Sequence, residues 1–284
     1  MRTLRLALEY DGTAYHGFGI QPEAPTIQGV LEAALAATLG HPVRVTPGGR
    51  TDSGVHAVGQ VVSLRTTSRL AVEAVQRAVN ARLPRDVLVR AVTEAAPGFD
   101  ARRSALWRWY RYTLWRDRLP NIWWQRYCYH VWGPLDLAAM RRASRRLVGR
   151  HDFAALATHQ SQNAPGSTVR TVLQARWVVE GAFWHFDVIA DAFLRHMVRA
   201  MVGTLLQVGR GVLTPNDVTA VLRSGDRRQA GETVPAAGLT LMQIGYPGDE
   251  AVAWRRRARW TAPLRPRSSL GTGGPGEDLH ASQS

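Results

Sequence analysis

The chain is organised around one glycine-rich stretch, Gly48-Gly49-Arg50-Thr51-Asp52-Ser53-Gly54-Val55-His56-Ala57. Two runs typical of β-strands flank it, Val43–Thr46 before and Val58–Leu64 after. Glycines let a backbone turn sharply and approach a ligand closely, so the loop can be held tightly while its polar side chains face a cleft. The simpler interpretation is that Asp52 caps a turn and Arg50 is solvated. The density of functional groups favours chemistry or recognition.

The elements around this loop alternate between strands and helices. Thr3–Tyr10 alternates apolar and polar residues, as a half-buried strand does. Helical periodicity predicts one helix over Ile27–Leu39, capped by Thr26, and a second over Ala71–Leu83. Val87–Val92 has the composition of another strand. The resulting order, β-α-β-β-α-β, is the split βαβ (ferredoxin-like) pattern, an antiparallel sheet with two helices on one face.

The second half of the chain repeats that order. Two helices are predicted, Asp136–Val148 and Phe193–Val208. The strands predicted there are Leu106–Trp115, Val169–Val179, Phe183–Ile189 and Leu239–Ile244. We therefore expect an α+β fold of two pseudo-repeated βαββαβ halves, 1–103 and 104–247, whose antiparallel sheets join around a central cleft. Residues 248–284 are rich in Arg, Pro and Gly without apolar periodicity, which predicts a disordered basic tail.

Charge and cysteine content narrow the class of protein. The chain has 36 Lys and Arg against 22 Asp and Glu, a net charge of +14, and arginine carries the positive charge. A GC-rich genome would explain arginine over lysine but not the excess, so a nucleic-acid partner is the leading hypothesis. The single cysteine, Cys128, excludes an intramolecular disulfide. We see no signal peptide and no apolar run of membrane-spanning length, and we expect a cytoplasmic protein.

Two segments of the second half carry chemical information. Arg108-Trp109-Tyr110-Arg111-Tyr112 alternates aromatics with arginines on a strand, a composition that stacks bases and neutralises phosphate. The alternative is cross-strand aromatic packing with outward arginines. The helix Phe193–Val208 is apolar almost all round, so Arg199 within it requires a carboxylate or phosphate partner. Arg195, one turn earlier on the same face, either assists or extends to solvent.

Together these residues resemble a known family. Four motifs occur in order across about residues 3–247, with the spacing found in the tRNA pseudouridine synthase A family. They are Tyr10-Asp11-Gly12-Thr13, Gly49 to Ala57, Phe99-Asp100-Ala101-Arg102 before Tyr110-Arg111-Tyr112, and His196-Met197-Val198-Arg199.

The resemblance implies an activity and a set of roles. The family isomerises uridines at positions 38 to 40 of the tRNA anticodon stem-loop to pseudouridine, uses no metal or organic cofactor, and works as a homodimer. Asp52 falls on the family's nucleophilic aspartate and Tyr110 on the tyrosine that stacks on the target base. Arg199 falls on the basic partner of that aspartate. Arg50 matches the arginine that replaces the flipped base, and Leu239 matches an apolar residue of the pocket.

The chain departs from the family pattern at three positions, one of them Ser53, which replaces the more usual alanine. Two other functions remain open. Gly19 stands where the family usually has a polar residue, and Thr240 where it commonly has an aromatic. A non-catalytic RNA-binding module would need the basic cleft but not Asp52. A metal-dependent hydrolase would use Asp52, His56 and His16, but the sequence has no carboxylate cluster or His-x-x-x-His pair at ligand spacing. We expect His56 to be a hydrogen-bonded loop histidine.

Overall fold

Apolar alternation along the first strand decides which face of the sheet is buried. In the computed structural model, which describes residues 1–158 and 167–249, strand β1 (Arg2–Tyr10) buries Leu4, Leu6 and Leu8 completely. These side chains share one hydrophobic core with helix α1 (Ile27–Leu39). The predicted first strand and first helix are therefore confirmed.

The described residues form ten strands and five α-helices. The other strands are β2 (Thr46–Pro47), β3 (His56–Thr66), β4 (Val87–Ala95), β5 (Trp107–Trp115), β6 (Tyr129–His130), β7 (Gly149–Asp152), β8 (Val169–Glu180), β9 (Phe183–Ala190) and β10 (Leu239–Gly245). The other helices are α2 (Val72–Asn80), α3 (Leu137–Arg145), α4 (Met197–Gly209) and α5 (Asp217–Ser224).

All ten strands belong to one sheet, ordered β4-β1-β3-β10-β5-β9-β8-β7, with β2 beside β3 and β6 beside β5. This confirms the α+β class and the joining of the two halves in one sheet. The expectation of a wholly antiparallel sheet is wrong at the junction, because β10 pairs with β3 in parallel, Thr240 opposite His56 and Leu241 opposite Ala57. That the halves 1–103 and 104–247 are repeats of one unit stays a prediction.

Residues Met1–Pro247 form one compact unit. Most of the predicted basic tail, from residue 250 onward, lies outside the described residues. Within the part of the chain that the structure describes, no helix combines the length and hydropathy needed to cross a membrane.

The predicted strand over Val43–Thr46 is wrong, since only Thr46–Pro47 pairs with β3. Side chains of α1 take up the backbone groups that a longer strand would offer to the sheet. The Val45 amide donates to Glu32 Oε1 at 2.9 Å, and Gln28 Nε2 donates to the Val45 carbonyl at 3.4 Å. Val45 is thereby held against the helix.

Three predicted helices have different ends in the structure, and one of them, expected over Asp136–Val148, has Asp136 as its N-cap and stops at Arg145. The helix expected over Ala71–Leu83 stops at Asn80, whose side chain exchanges two hydrogen bonds with the backbone of Val89 at 2.9 and 2.8 Å. The helix expected from Phe193 begins at Met197 instead. His196 has a φ of +64°, a left-handed conformation that cannot continue an α-helix toward the N-terminus.

Candidate active site

The glycine-rich stretch forms a loop between β2 and β3 that its own half of the molecule holds tightly. The Phe18 amide donates to the Thr51 carbonyl at 3.0 Å, and the Tyr10 and Thr51 hydroxyls lie 2.8 Å apart. Gln60 Nε2 donates to the Gly49 carbonyl at 2.6 Å. Because both ends and the centre of the loop are bonded to neighbouring strands and loops, the position of Asp52 is fixed by the fold.

Two glycines outside the loop allow this close packing. A β-carbon on Gly12 would lie 2.1 Å from the Val55 carbonyl oxygen. At Gly17, which has a φ of +92°, it would lie 2.8 Å from the Thr51 carbonyl oxygen. Neither position accommodates a side chain without moving the loop, so the backbone of the segment that follows β1 packs directly against the backbone of the loop.

Asp52 points across a cleft toward the N-terminal end of α4. Its side chain is 26% exposed; Oδ1 lies 3.9 Å from Arg195 Nε and Oδ2 lies 3.6 Å from His196 Nε2. Burial lowers the pKa of His196 below its usual value although the Asp52 charge opposes that shift. At neutral pH the Asp52 carboxylate therefore has a neutral imidazole and a guanidinium as neighbours and keeps solvent access.

Arg199 is half-buried, and it contacts Asp52 less directly than the sequence indicated. Its Nε donates to the Val234 carbonyl at 2.7 Å. Among the described residues, the basic side chains with a nitrogen within 4 Å of the Asp52 carboxylate are those of Arg195 and His196, not that of Arg199. The charge of Asp52 still acts on Arg199 at longer range, opposing the fall in the pKa of Arg199 that burial causes.

The placement of Arg195 on the same helical face as Arg199 is wrong. Arg195 precedes α4, because Phe193 packs edge-on against Tyr110 with ring centroids 5.1 Å apart and the Arg195 carbonyl accepts from the Thr158 amide at 3.3 Å. These tertiary contacts hold the segment before α4 out of the helix. Arg195 thus reaches Asp52 from a loop, and it is exposed over more than half of its side chain.

Tyr110 lies on β5 beside Asp52 and is only 7% exposed. Its pKa is raised above the usual range, first by burial and then by the nearby charges, Asp52 among them. The hydroxyl is therefore protonated at neutral pH. One edge of the ring is covered by Phe193, so this aromatic pair forms a wall of the cleft.

The cleft has a volume of about 750 Å³ and brings the predicted site residues together. Asp52, Tyr110, Leu239, Arg195 and the exposed Arg50 all line it, whereas Arg199 lies just behind. Sequence reasoning assigned no site role to several other lining residues. These are Arg44, Arg102, Arg170, Phe193 and His196.

Of the alternating aromatic and arginine strand, only Arg108 and Tyr110 face the cleft. Arg111 is buried on the opposite face of the sheet, where Nε and Nη2 bond the two carboxylate oxygens of Asp187 at 2.7 and 2.9 Å. Trp109 Nε1 donates to the same carboxylate at 3.0 Å. Only alternate residues of the segment therefore face the cleft, because successive strand residues point to opposite faces, and the alternative of outward arginines does not hold for the buried Arg111.

Thr240 also points away from the cleft, since it pairs with Arg111 in the sheet register. Its difference from the family pattern therefore leaves the cleft lining unchanged. Gly19 does line the cleft, and a β-carbon there would lie 3.9 Å from Arg50 Nε, an ordinary contact distance.

His56 is a buried structural residue at the start of β3, which confirms that it is hydrogen-bonded. Its Nδ1 lies 3.1 Å from the Gly12 amide nitrogen and 3.1 Å from Asp11 Oδ1. Burial of Asp11 is outweighed by hydrogen bonds from His56, Thr13 and Tyr127, which hold the pKa of Asp11 well below its usual range. Within residues 1–158 and 167–249, no three His, Cys, Asp or Glu side chains are grouped so that they could hold a metal ion.

The chain is similar in sequence to known proteins over most of its length. A family model described as tRNA pseudouridine synthase matches residues 6–102 and 143–247, ranges that contain Asp52 and Arg199 but not Tyr110. The chain is 45% identical over 252 residues to tRNA pseudouridine synthase A of Moorella thermoacetica, covering 87% of this chain and 100% of the relative. It is 44% identical over 253 residues to the enzyme of the same name from Syntrophotalea carbinolica, covering 89% and 99%.

Among solved structures there is a weak similarity to a chain in the crystal structure of a Cbf5-Nop10-Gar1 complex. The TM-score is 0.35 at 12% identity, covering 84% of this chain and 57% of that chain, so the alignment spans little more than half of its length. The sequence matches are much stronger, and by them the chain belongs to the tRNA pseudouridine synthase family.

Proposed function

We propose that this tRNA pseudouridine synthase modifies uridines at positions 38 to 40 of the anticodon stem-loop and that Asp52 is its nucleophile. The observation that carries the proposal is the position of Asp52, whose partly exposed carboxylate faces a cleft lined by Tyr110 and Leu239 and rimmed by arginines. The volume of the cleft, about 750 Å³, suits a flipped nucleotide. Because tRNA is the substrate, we also propose a cytoplasmic location.

The reaction exchanges one bond between the ribose and the uracil for another, and it requires a group that can hold the intermediate between the two steps. The C1′–N1 bond breaks and a C1′–C5 bond forms, while C5 loses a proton and N1 gains one, so the product is an isomer of uridine. A carboxylate that adds covalently divides this exchange into two easier steps. Asp52 suits that role because its carboxylate oxygens form no short hydrogen bond with the side chains that the structure describes, and because Arg195 and His196 lie within 4 Å of them with Arg199 nearby.

The target base must leave its stack before the cleft can hold it, at a cost of roughly a few kcal/mol. Arg50 is exposed on the rim of the cleft, where its guanidinium would occupy the vacated stack. Tyr110 and Leu239 would hold the uracil beside Asp52. The free-energy cost of base flipping would therefore be offset by contacts of Arg50 in the vacated stack and of Tyr110 and Leu239 with the flipped uracil.

We also propose that the enzyme is a homodimer that pairs through the segment between β5 and α3. Ile122, Trp123 and Trp132 there are 71%, 81% and 63% exposed. Exposed apolar groups of this size close together in sequence are typical of protein interfaces. Light scattering on Trp123→Ser tests the proposal: the variant should shift from dimer to monomer, and a monomeric wild-type protein would contradict it.

The function itself is tested by tritium release from tRNA labelled at uracil C5, with a chelator present. Wild type should release tritium and Asp52→Ala should not, while both bind tRNA with similar affinity. Substrates that retain a single uridine at position 38, 39 or 40 assign the sites. Release from tRNA that lacks uridine at all three would overturn the site assignment, and release by Asp52→Ala would overturn the nucleophile.

A further inference from the structure

A second basic surface lies outside the cleft, at the C-terminal end of α3. A cavity of about 560 Å³ there is lined by Arg142, Arg145, Arg146, Pro215 and Asn216. We call Arg142, Arg145 and Arg146 the α3 arginine cluster. All three side chains are exposed, and none of them lines the cleft that contains Asp52.

The cluster has no acidic counterpart. Within the described residues, none of its guanidinium groups forms an ion pair with a carboxylate. Carboxylates close in sequence to the residues that line the cavity accept hydrogen bonds from the backbone instead; Asp152 Oδ1 accepts from the Ala154 amide at 2.9 Å. Asp136 caps α3 by accepting from the Ala139 amide at 2.8 Å, and Asp217 accepts from the Thr214 amide at 2.7 Å. The positive charge of the cluster is therefore not neutralised by any carboxylate in residues 1–158 and 167–249.

One member is also oriented without losing its charge. Arg146 Nη2 donates to Asn216 Oδ1 at 3.0 Å, a neutral acceptor on the segment before α5. This bond fixes the guanidinium plane at the edge of the cavity and leaves its remaining donors directed outward. An arginine held in this way loses less side-chain entropy when it binds an anion.

Helix stability alone does not explain the cluster. Arg142 and Arg145 lie in the last turn of α3, where positive charge interacts favourably with the helix dipole. Arg141 with Arg145 and Arg142 with Arg146 are however like-charged pairs four residues apart, each unfavourable by roughly 0.2–0.5 kcal/mol. The repeated arginines with no glutamate or aspartate between them point to an external polyanion.

We propose that the α3 arginine cluster binds phosphodiester groups of the substrate tRNA and is a contact surface separate from the catalytic cleft. Planar guanidinium groups around a concave surface match the geometry of phosphate oxygens, and the substrate of the family is itself a polyanion. This inference does not depend on which uridine is modified or on the role of Asp52.

The test is the salt dependence of tRNA binding and turnover in Arg142→Gln/Arg145→Gln/Arg146→Gln. Loss of three phosphate contacts should make the slope of log affinity against log salt shallower by about 2 and raise KM for tRNA by roughly tenfold near 0.1 M salt. The kcat at saturating tRNA should not change, because the cluster does not contact the reacting base.

Two further variants make the result specific. Arg77→Gln/Arg82→Gln/Arg85→Gln removes the same charge from exposed arginines on and after α2 and should leave the slope and KM unchanged. Arg142→Lys/Arg145→Lys/Arg146→Lys, which keeps the charge, should keep most of the wild-type slope of log affinity against log salt. An unaltered slope in the Gln cluster variant, with a native melting temperature, would overturn the proposal and favour an acidic protein partner. An equal effect in the α2 control would overturn it in favour of net charge alone.

Discussion

Asp187, on one face of the sheet, and Asp52, in the cleft on the other side, contact arginine side chains with different geometries. Asp187 is 1% exposed, and the two nearest nitrogens of Arg111 approach its oxygens at 2.7 and 2.9 Å while Trp109 Nε1 donates at 3.0 Å. Asp52 is 26% exposed, and the nearest nitrogens of His196 and Arg195 stay 3.6 and 3.9 Å from its oxygens. The first carboxylate has its oxygens occupied, whereas the second is surrounded by positive charge but keeps its oxygens accessible. The two aspartates thus differ in the geometry of their contacts, and only Asp52 has the accessible oxygens that the proposed nucleophile requires.

Asp52→Asn should produce the largest effect, and it should appear in catalysis alone. The amide is nearly isosteric but is not a nucleophile, so we expect kcat to fall by at least about 10⁴-fold, roughly 5 kcal/mol of barrier. The melting temperature should change little, since no tight hydrogen bond of Asp52 is lost. Single-turnover kinetics and calorimetry on the same preparation check both halves. A large drop in melting temperature would place Asp52 with Asp187 as a structural residue.

Asp187→Ala should produce the second largest effect, and it should appear in stability. Removing one partner leaves the Arg111 charge buried and uncompensated, which costs about 3–5 kcal/mol. Urea unfolding measures the loss. At a temperature where the variant remains folded, tritium release should be close to wild type. The isosteric Asp187→Asn variant, which retains an acceptor for Trp109, should lose less; equal losses in the two variants would mean that the charge of Asp187 is not what matters.

His185, which is buried near Arg111 and Asp187, should make the stability of the fold depend on pH. It lies on β9 beside Thr113, and burial, aided by Arg111, lowers its pKa to about 4 from an ordinary value of 6.5. The unfolded chain therefore binds the proton more readily, so stability is complete above about pH 6.5 and falls as the pH drops toward 4. The loss is about 3 kcal/mol over that interval.

Unfolding curves of wild type and His185→Gln between pH 7 and pH 4 check this expectation. The variant should lack most of the acid-dependent loss in that range. His16→Gln, at an exposed position, is the matched control for stability and should follow the wild-type curve. A His185→Gln protein with the wild-type pH dependence would show that other groups cause the acid sensitivity.

Sequence predicts well where a contact is local. Alternation along β1 and the caps of α1 depend on neighbouring residues, and both agree with the structure. Alternation along β5 likewise shows that Tyr110 and Arg111 point to opposite faces of the sheet, but it does not show which face lines the cleft. The start of α4 could not be predicted either, because it depends on Phe193 packing against Tyr110 from a distant strand. The position of His196 beside Asp52 depends on the same long-range packing and could not be predicted from the sequence.

Arg199→Ala should have the smallest effect of these substitutions, and the effect should be divided between stability and catalysis. Its Nε donates to the Val234 carbonyl, so Arg199→Ala removes one hydrogen bond from a charged donor, worth about 1.5–3 kcal/mol of stability. It also removes positive charge from the surroundings of Asp52, and we expect kcat to fall by roughly 10- to 100-fold, with KM for tRNA little changed. Arg199→Lys retains the charge but not the Nε geometry and should recover more activity than stability. A stability loss in Arg199→Ala as large as that of Asp187→Ala, with wild-type kcat, would instead make Arg199 a purely structural residue and leave Arg195 and His196 as the groups that act on Asp52.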